Sequence, residues 1–230
     1  MNGNNSVTSA VAVFVKTPGK SPLKTRLAQG IGREDADRFY ELSCSAIAEL
    51  VGYYCKNIGQ GLITPYWAIA EKEEVCGNYW KDFSHIWQGD GGLGNRLFKV
   101  YNELLCQHPH VFIIGSDCPQ ISPQSLQMAV ELSHAESNFV MGEARDGGFW
   151  LVGGSKPIAQ HCWERVTYSA QDTAYELCRQ LEPLGEISKL KCYQDVDEKA
   201  DLEVLRIELL ANEQRLAMQD YLLKWLSQFD

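Results

Sequence analysis

The chain has 230 residues, 45% of them hydrophobic, and carries a formal charge of −9. That length suits one α/β domain spanning residues 1–230 with a full core, and the composition excludes a disordered or fibrous chain. The acidic balance excludes a general nucleic-acid binder, whose partner's phosphates demand a basic surface. No stretch approaches the ~20 apolar residues of a membrane-spanning helix. Residues 1–5, Met-Asn-Gly-Asn-Asn, lack the positive charge of a signal peptide. The reading is therefore of a cytoplasmic protein with no membrane span. None of the eight cysteines stands in a Cys-x-x-Cys pair, so reduced thiols are expected rather than a zinc or redox motif.

Charge is distributed unevenly along the chain. The first acidic residue is Glu34, preceded by Lys16, Lys20, Lys24, Arg26 and Arg33. A basic segment in an acidic protein suits a small anionic ligand, unless distant carboxylates neutralise it in the fold.

Residues 10–15 form a continuous apolar, β-branched run, the pattern of a strand buried on both faces. A Pro- and Gly-containing loop follows from residue 16, then a helical pattern over 34–51. Residues 62–69 read as a second strand, made an edge or irregular one by Pro65. Residues 71–80 read as a short helix and 84–88 as a short strand. Glycine-dense 89–94 is a loop before an amphipathic helix marked by Leu93, Leu97, Val100 and Leu104. The clearest buried strand is 111–114, ending in Gly115-Ser-Asp-Cys-Pro119. Ser122 with Pro123 is an N-cap and first-turn pair for a helix to Leu132. Strands follow at 139–141 and 149–152. A capping box at 169–172 opens a helix to Leu181, and a last strand runs over 189–193. From about 199 to 230 the chain is helical, with Leu222, Leu223, Leu226 and Phe229 as an apolar stripe read as core in preference to a dimer contact.

Alternating strands and helices predict a three-layer α/β/α, Rossmann-like arrangement around a mostly parallel central sheet. Ligands bind such sheets beyond the carboxyl ends of the strands. The loops after Val15, Gln88, Ile114 and Met141 are therefore the candidates.

Five segments there could carry chemistry. The loop from Lys16 offers backbone N–H groups and cations to a diphosphate, although it is neither a Walker loop nor a Gly-x-Gly-x-x-Gly fingerprint. Asp117, just past a very apolar strand, suits a divalent metal or else caps a turn before Pro119. Asp146-Gly147-Gly148 is a site loop or a hairpin turn. Asp195-Val-Asp197, with Asp201, either completes a metal site or begins a helix. Residues 88–94 allow a base or sugar to approach the backbone closely, or simply connect.

Taken in order, these segments resemble a bacterial family with the glycosyltransferase-A fold, grouped with nucleotide-diphospho-sugar transferases, some of whose members are assigned to arsenosugar biosynthesis. The resemblance rests on Val15-Lys-Thr-Pro-Gly19 with Lys24-Thr-Arg-Leu27, Gln88 with Leu93-Gly94 and Arg96, and Gly115-Ser-Asp-Cys-Pro119. Asp146-Gly-Gly-Phe-Trp-Leu151 and Asp195-Val-Asp197 with Asp201-Leu202 complete it, over residues 10 to 205. It extends more distantly to guanylyltransferases acting on 2-phospholactate or the molybdenum cofactor.

The resemblance implies a role for each segment. Lys16, Lys24 and Arg26 would contact phosphates, and Leu93 and Gly94 would lie against the base or ribose. Asp117 and Asp197 would hold Mg²⁺ or Mn²⁺. Asp146 would act as base or orient the acceptor, beside Gly147, Gly148 and Trp150. Position 119 is Pro, so Asp117-Cys118-Pro119 is no Asp-x-Asp pair, and Glu143 stands where that family commonly has Pro.

The implied activity is glycosyl transfer from a nucleoside-diphosphate sugar to a small acceptor, by a monomer or homodimer. Nucleotidyl transfer to a phosphorylated acceptor, or a non-catalytic sugar-nucleotide-binding module, are the alternatives.

Overall fold

The computed structural model describes residues 8–59, 62–135 and 139–229. The signal-peptide reading of residues 1–5 lies outside them. Seven strands form one sheet: β1 (Ser9–Val15), β2 (Ile63–Ile69), β3 (Ser84–Trp87), β4 (Val111–Gly115), β5 (Phe139–Glu143), β6 (Phe149–Gly154) and β7 (Ile187–Lys189). Their order is β3-β2-β1-β4-β6-β5-β7. Every observed pairing is parallel except those of β6, which runs antiparallel to β4 and β5. The carboxyl ends of the other strands and the start of β6 therefore share one edge. The chain leaves β1 for β2 on one side, and β4 lies on the other. The connections thus diverge between β1 and β4, where open α/β sheets bind ligands.

Period-2 alternation along β1 assigns its two faces. Val11, Val13 and Val15 pack with Tyr40, Cys44 and Ile47 of α2 (Arg33–Tyr53) and Leu126 of α4 (Pro123–Ala135). Ala10 and Ala12 face the opposite layer. That layer is α3 (Leu93–Leu105), α5 (Gln160–Glu164) and α6 (Thr173–Leu181), through Leu97, Val100, Trp163 and Leu177. The expected α/β/α layering is present.

A further cluster covers the outer side of α2. Leu27 of α1 (Thr25–Ile31) and Phe39 of α2 pack with Leu202 and Leu205 of α7 (Lys199–Ala211) and with Leu222 and Leu226 of α8 (Ala217–Leu226). The carboxyl-terminal stripe is core, as read. Among the described residues no helix is long and apolar enough to cross a membrane.

Several local readings change. The helical pattern expected over 34–51 is α2, which continues into a π turn at Tyr54–Ile58, and an additional short helix, α1, precedes it. The segment after β2 is a 3₁₀ turn, Lys72–Cys76, and α5 had no sequence counterpart. Strand β2 is internal, contrary to the edge placement that Pro65 implied. Val15 C=O accepts from Ala70 N–H and Ile69 C=O from Gln88 N–H. Even-numbered amides of β2 therefore face β1 and odd-numbered ones face β3. Pro65 is odd, and β3 pairing begins only at Tyr66, so the missing donor falls where no partner strand exists. Ser122 caps α4 as expected, its Oγ accepting from Ser125 N–H at 3.2 Å.

Leu27 is fully buried and fixes α1, hence the loop before it, against α7 and α8. Leu27→Ala should cost about 2–5 kcal/mol. Urea unfolding followed by circular dichroism measures that loss.

Candidate functional site

All four candidate loops converge on one cavity of about 740 Å³ at the carboxyl edge of the sheet. Its lining includes Lys16 and Lys24 from the first loop, Gln88 and Leu93 from the second, Asp117 after β4, and Asp146 with Gly148 between β5 and β6. Asp195 and Asp197 join them from the segment before α7.

The first loop is held from several sides. Tyr40 brackets Lys16: its Oη accepts from Lys16 N–H at 2.8 Å and donates to Lys16 C=O at 2.9 Å. The Glu71 carboxylate accepts from Thr17 N–H at 2.8 Å and Ser21 Oγ at 2.5 Å. Lys24 then takes a left-handed conformation, φ 41°, which costs a non-glycine residue roughly 1–2 kcal/mol. Of the three described non-glycine residues with positive φ, Lys24 and Ser169 both line this cavity. Such clustering is typical of functional loops.

The basic segment is largely neutralised. Lys20 pairs with Glu74 at 3.0 Å, Lys24 with Asp117 at 2.7 Å, Arg26 with Asp197 at 3.5 Å, and Arg33 with Asp37. Among the described residues Lys16 has no ion-pair partner, and it stands exposed at the cavity. Lys24 is the opposite case: its side chain is 5% exposed. Burial alone would lower its pKa, but the charge and hydrogen bond of Asp117, with Asp197 and Asp195 beyond, outweigh this and raise it.

The carboxylates form an unequal group. Asp195 is pushed up to about 7, first by burial and then by the charge of Asp146, with Asp117 and Asp197 adding to it. Its Oδ1 is buried without a hydrogen-bond partner. Asp146 Oδ1 accepts from Gly148 N–H at 2.7 Å, so the hairpin-turn and cavity readings of this loop hold together. Asp201 serves α7, its Oδ2 accepting from the N–H groups of Asp197 and Glu198 at 2.9 and 2.7 Å. The helix-start reading of that segment therefore applies to Asp201, while Asp195 and Asp197 line the cavity.

Three expected site residues lie elsewhere than beside the cavity. Gly94 is buried in α3, where a Cβ would stand 2.6 Å from Trp163 C=O, so its glycine is explained by helix packing. Gly147 has φ +93°, and a Cβ would meet Gln171 C=O at 1.9 Å. Its neighbour Gly148 lines the cavity instead. Arg26 is two-thirds exposed and reaches the site through Asp197. Trp150 backs the cavity but is buried, with Nε1 donating to Lys191 C=O at 2.9 Å and the ring edge-on to Tyr193.

Asp195 entered the sequence reading only as part of the Asp195-Val-Asp197 segment, with a role given to Asp197 alone. Its signal was present in the period-2 alternation of Asp195-Val-Asp197. Val196 is fully buried in the α1/α7/α8 cluster, and the two flanking carboxylates line the cavity.

Among the described residues no group of three or more His, Cys, Asp or Glu side chains forms a complete metal cage. Asp117 and Asp197 nevertheless converge on the same ammonium, at 2.7 and 3.7 Å. The raised pKa of Asp195 reflects its burial first and then the negative charge of Asp146, Asp117 and Asp197 around it. Two carboxylates completed by substrate phosphate oxygens are an ordinary Mg²⁺ environment, so the residues fit.

Residues 64–170 match the family described as "Uncharacterized protein conserved in bacteria (DUF2064)". A search of curated proteins found no match. A solved structure of a candidate nucleotide-diphospho-sugar transferase from Desulfovibrio desulfuricans G20 is similar, with TM-score 0.75 and 20% identity over 96% of this chain and 98% of that one. The 4-diphosphocytidyl-2C-methyl-D-erythritol synthase of Anaerococcus prevotii DSM 20548 has TM-score 0.55 and 8% identity over 90% and 100%. A Mycobacterium tuberculosis H37Rv protein solved with manganese has TM-score 0.52 and 12% identity over 86% and 97%. At these identities the likeness establishes a shared fold.

Asp195 carries a folded pKa above its unfolded value. The stability linked to its proton is complete below the unfolded pKa near 3.8 and is lost as pH rises through about 7. Asp195→Asn should therefore melt higher than wild type at pH 8, with the gap closing toward pH 4. Thermal melts across that range check it.

Proposed function

We propose that this protein is a transferase acting on a nucleotide-linked substrate, and specifically a glycosyltransferase using a nucleoside-diphosphate sugar and Mg²⁺ or Mn²⁺. The observation that carries this reading is the cavity at the β1/β4 divergence, where a cationic loop faces a group of carboxylates. The likeness to the Desulfovibrio protein supports the substrate class, and the manganese-bound mycobacterial structure supports the metal.

In this reading Lys16 holds the diphosphate from the first loop, and Arg26 acts through its ion pair with Asp197. Leu93, exposed at the start of α3 and lining the cavity, lies against the base or ribose. Asp117 and Asp197 would hold the metal, whose charge, when bound, stabilises the leaving diphosphate. Asp146, its carboxylate fixed by the Gly148 amide, orients the acceptor hydroxyl and accepts its proton as the new glycosidic bond forms. Asp195 holds its proton up to about pH 7 beside it. This limits the negative charge the pocket carries near neutrality.

A nucleotidyltransferase on the same fold is the second reading, favoured by the similarity to the diphosphocytidyl synthase. Pyrophosphate release separates the two. A thermal-shift panel of nucleotides and nucleotide sugars, with and without Mn²⁺, is the direct test. A ligand at 100 times its Kd adds about 2.7 kcal/mol of stability, and the expected result is a metal-dependent shift with a nucleotide sugar. Asp117→Asn should lose the metal-dependent part. No shift with any nucleotide would reject the reading.

A further inference from the structure

Resting on that reading, we infer that Lys24 is a positioning residue that holds the Asp117 and Asp197 carboxylates from behind, and that Lys16 is the lysine that touches phosphate. The resemblance to known sequences assigns both lysines to the phosphates. Their surroundings differ. A lysine ammonium has three hydrogens to donate. In Lys24 one goes to Val196 C=O at 2.5 Å, and the ammonium is ion-paired with Asp117 Oδ1 at 2.7 Å and Asp197 Oδ1 at 3.7 Å.

Exposure points the same way. The Lys24 side chain is 5% exposed, whereas the Asp117 and Asp197 side chains it holds are 46% and 49% exposed. The cation is the inner member of the group and the carboxylates are the outer ones. Asp117 Oδ1, the oxygen facing Lys24, is buried, so what remains open on Asp117 lies away from the ammonium. A phosphate approaching the Lys24 ammonium would compete with the Asp117 carboxylate and the Val196 carbonyl that already hold it, and taking a partner from a buried cation is costly. Lys16 requires no displacement. It is exposed, lines the same cavity and has no ion-pair partner among the described residues, while Tyr40 fixes its backbone on both sides.

Binding of inorganic pyrophosphate to the full chain, measured by calorimetry with Mn²⁺ and again in EDTA, separates the two roles. Lys16→Met should weaken binding by about tenfold or more under both conditions, the loss of one charge-assisted hydrogen bond. Lys24→Met should leave EDTA binding near wild type and remove most of the gain that Mn²⁺ gives. It should also be non-additive with Asp117→Asn. Equal losses in EDTA for Lys24→Met and Lys16→Met would overturn the assignment.

Wild-type protein supplies a second measurement that needs no folded variant. Under acetic anhydride, Lys24 should stay unlabelled with or without pyrophosphate, whereas Lys16 should label freely and become protected. A Lys24 that labels in free protein and is protected by pyrophosphate would overturn the proposal. Pyrophosphate and nucleotides both failing to bind wild type would reject the parent reading. Binding that shows no Mn²⁺ gain would reject the positioning role alone.

Discussion

One buried ammonium joins the parts of the site. Lys24 lines the cavity with its ammonium buried, and draws together the Asp117 carboxylate after β4 and the Val196–Asp197 segment before α7. These three segments are separated by 93 and 172 positions in sequence. An ammonium cannot be removed from water at tolerable cost unless its partners are in place. Burying Lys24 therefore obliges all three loops to close on the same point. The Asp117 backbone adds to the tie, its C=O accepting from Val196 N–H at 3.2 Å.

The wider scaffold serves that closure. Val196 is both a contact of Lys24 and a core residue of the cluster formed by α1, α7 and α8. Leu27, three residues after Lys24, is buried in the same cluster. The carboxyl-terminal helices thus brace the first loop from outside the sheet, although they contribute no strand. Tyr40 on α2 and Glu71 after β2 brace it from the other sides.

The electrostatics of the cavity are divided by depth. Lys24 is buried with its charge already matched, while Lys16 and Arg26 are exposed. Asp195 is the carboxylate that burial and its neighbours keep protonated longest. Perturbed carboxylates inside a cavity are a usual mark of a functional site. The likeness to solved structures establishes the shared fold, and the chemistry must be argued from these residues.

Much of this was legible in the linear sequence. The apolar β-branched runs announced β1 and β4, because strands covered on both faces carry no polar alternation. The amphipathic period announced α3 and the carboxyl-terminal helices. The loops at the carboxyl edge followed from the α/β alternation. Tertiary structure alone decided which charges meet. Lys24 and Lys16 are equivalent on paper, eight positions apart in one loop, and only packing makes one a buried partner of Asp117 and leaves the other open to the cavity. Pro65 signalled an edge, but a strand can be one-sided for a single residue, and that depends on where β3 begins. Gly94 and Gly147 looked like ligand contacts, but the atoms that require glycine there belong to Trp163 and Gln171, from distant segments. Local pattern reports which groups tolerate burial. The pairing of one group with another across the sheet edge arises only when the chain has closed on itself.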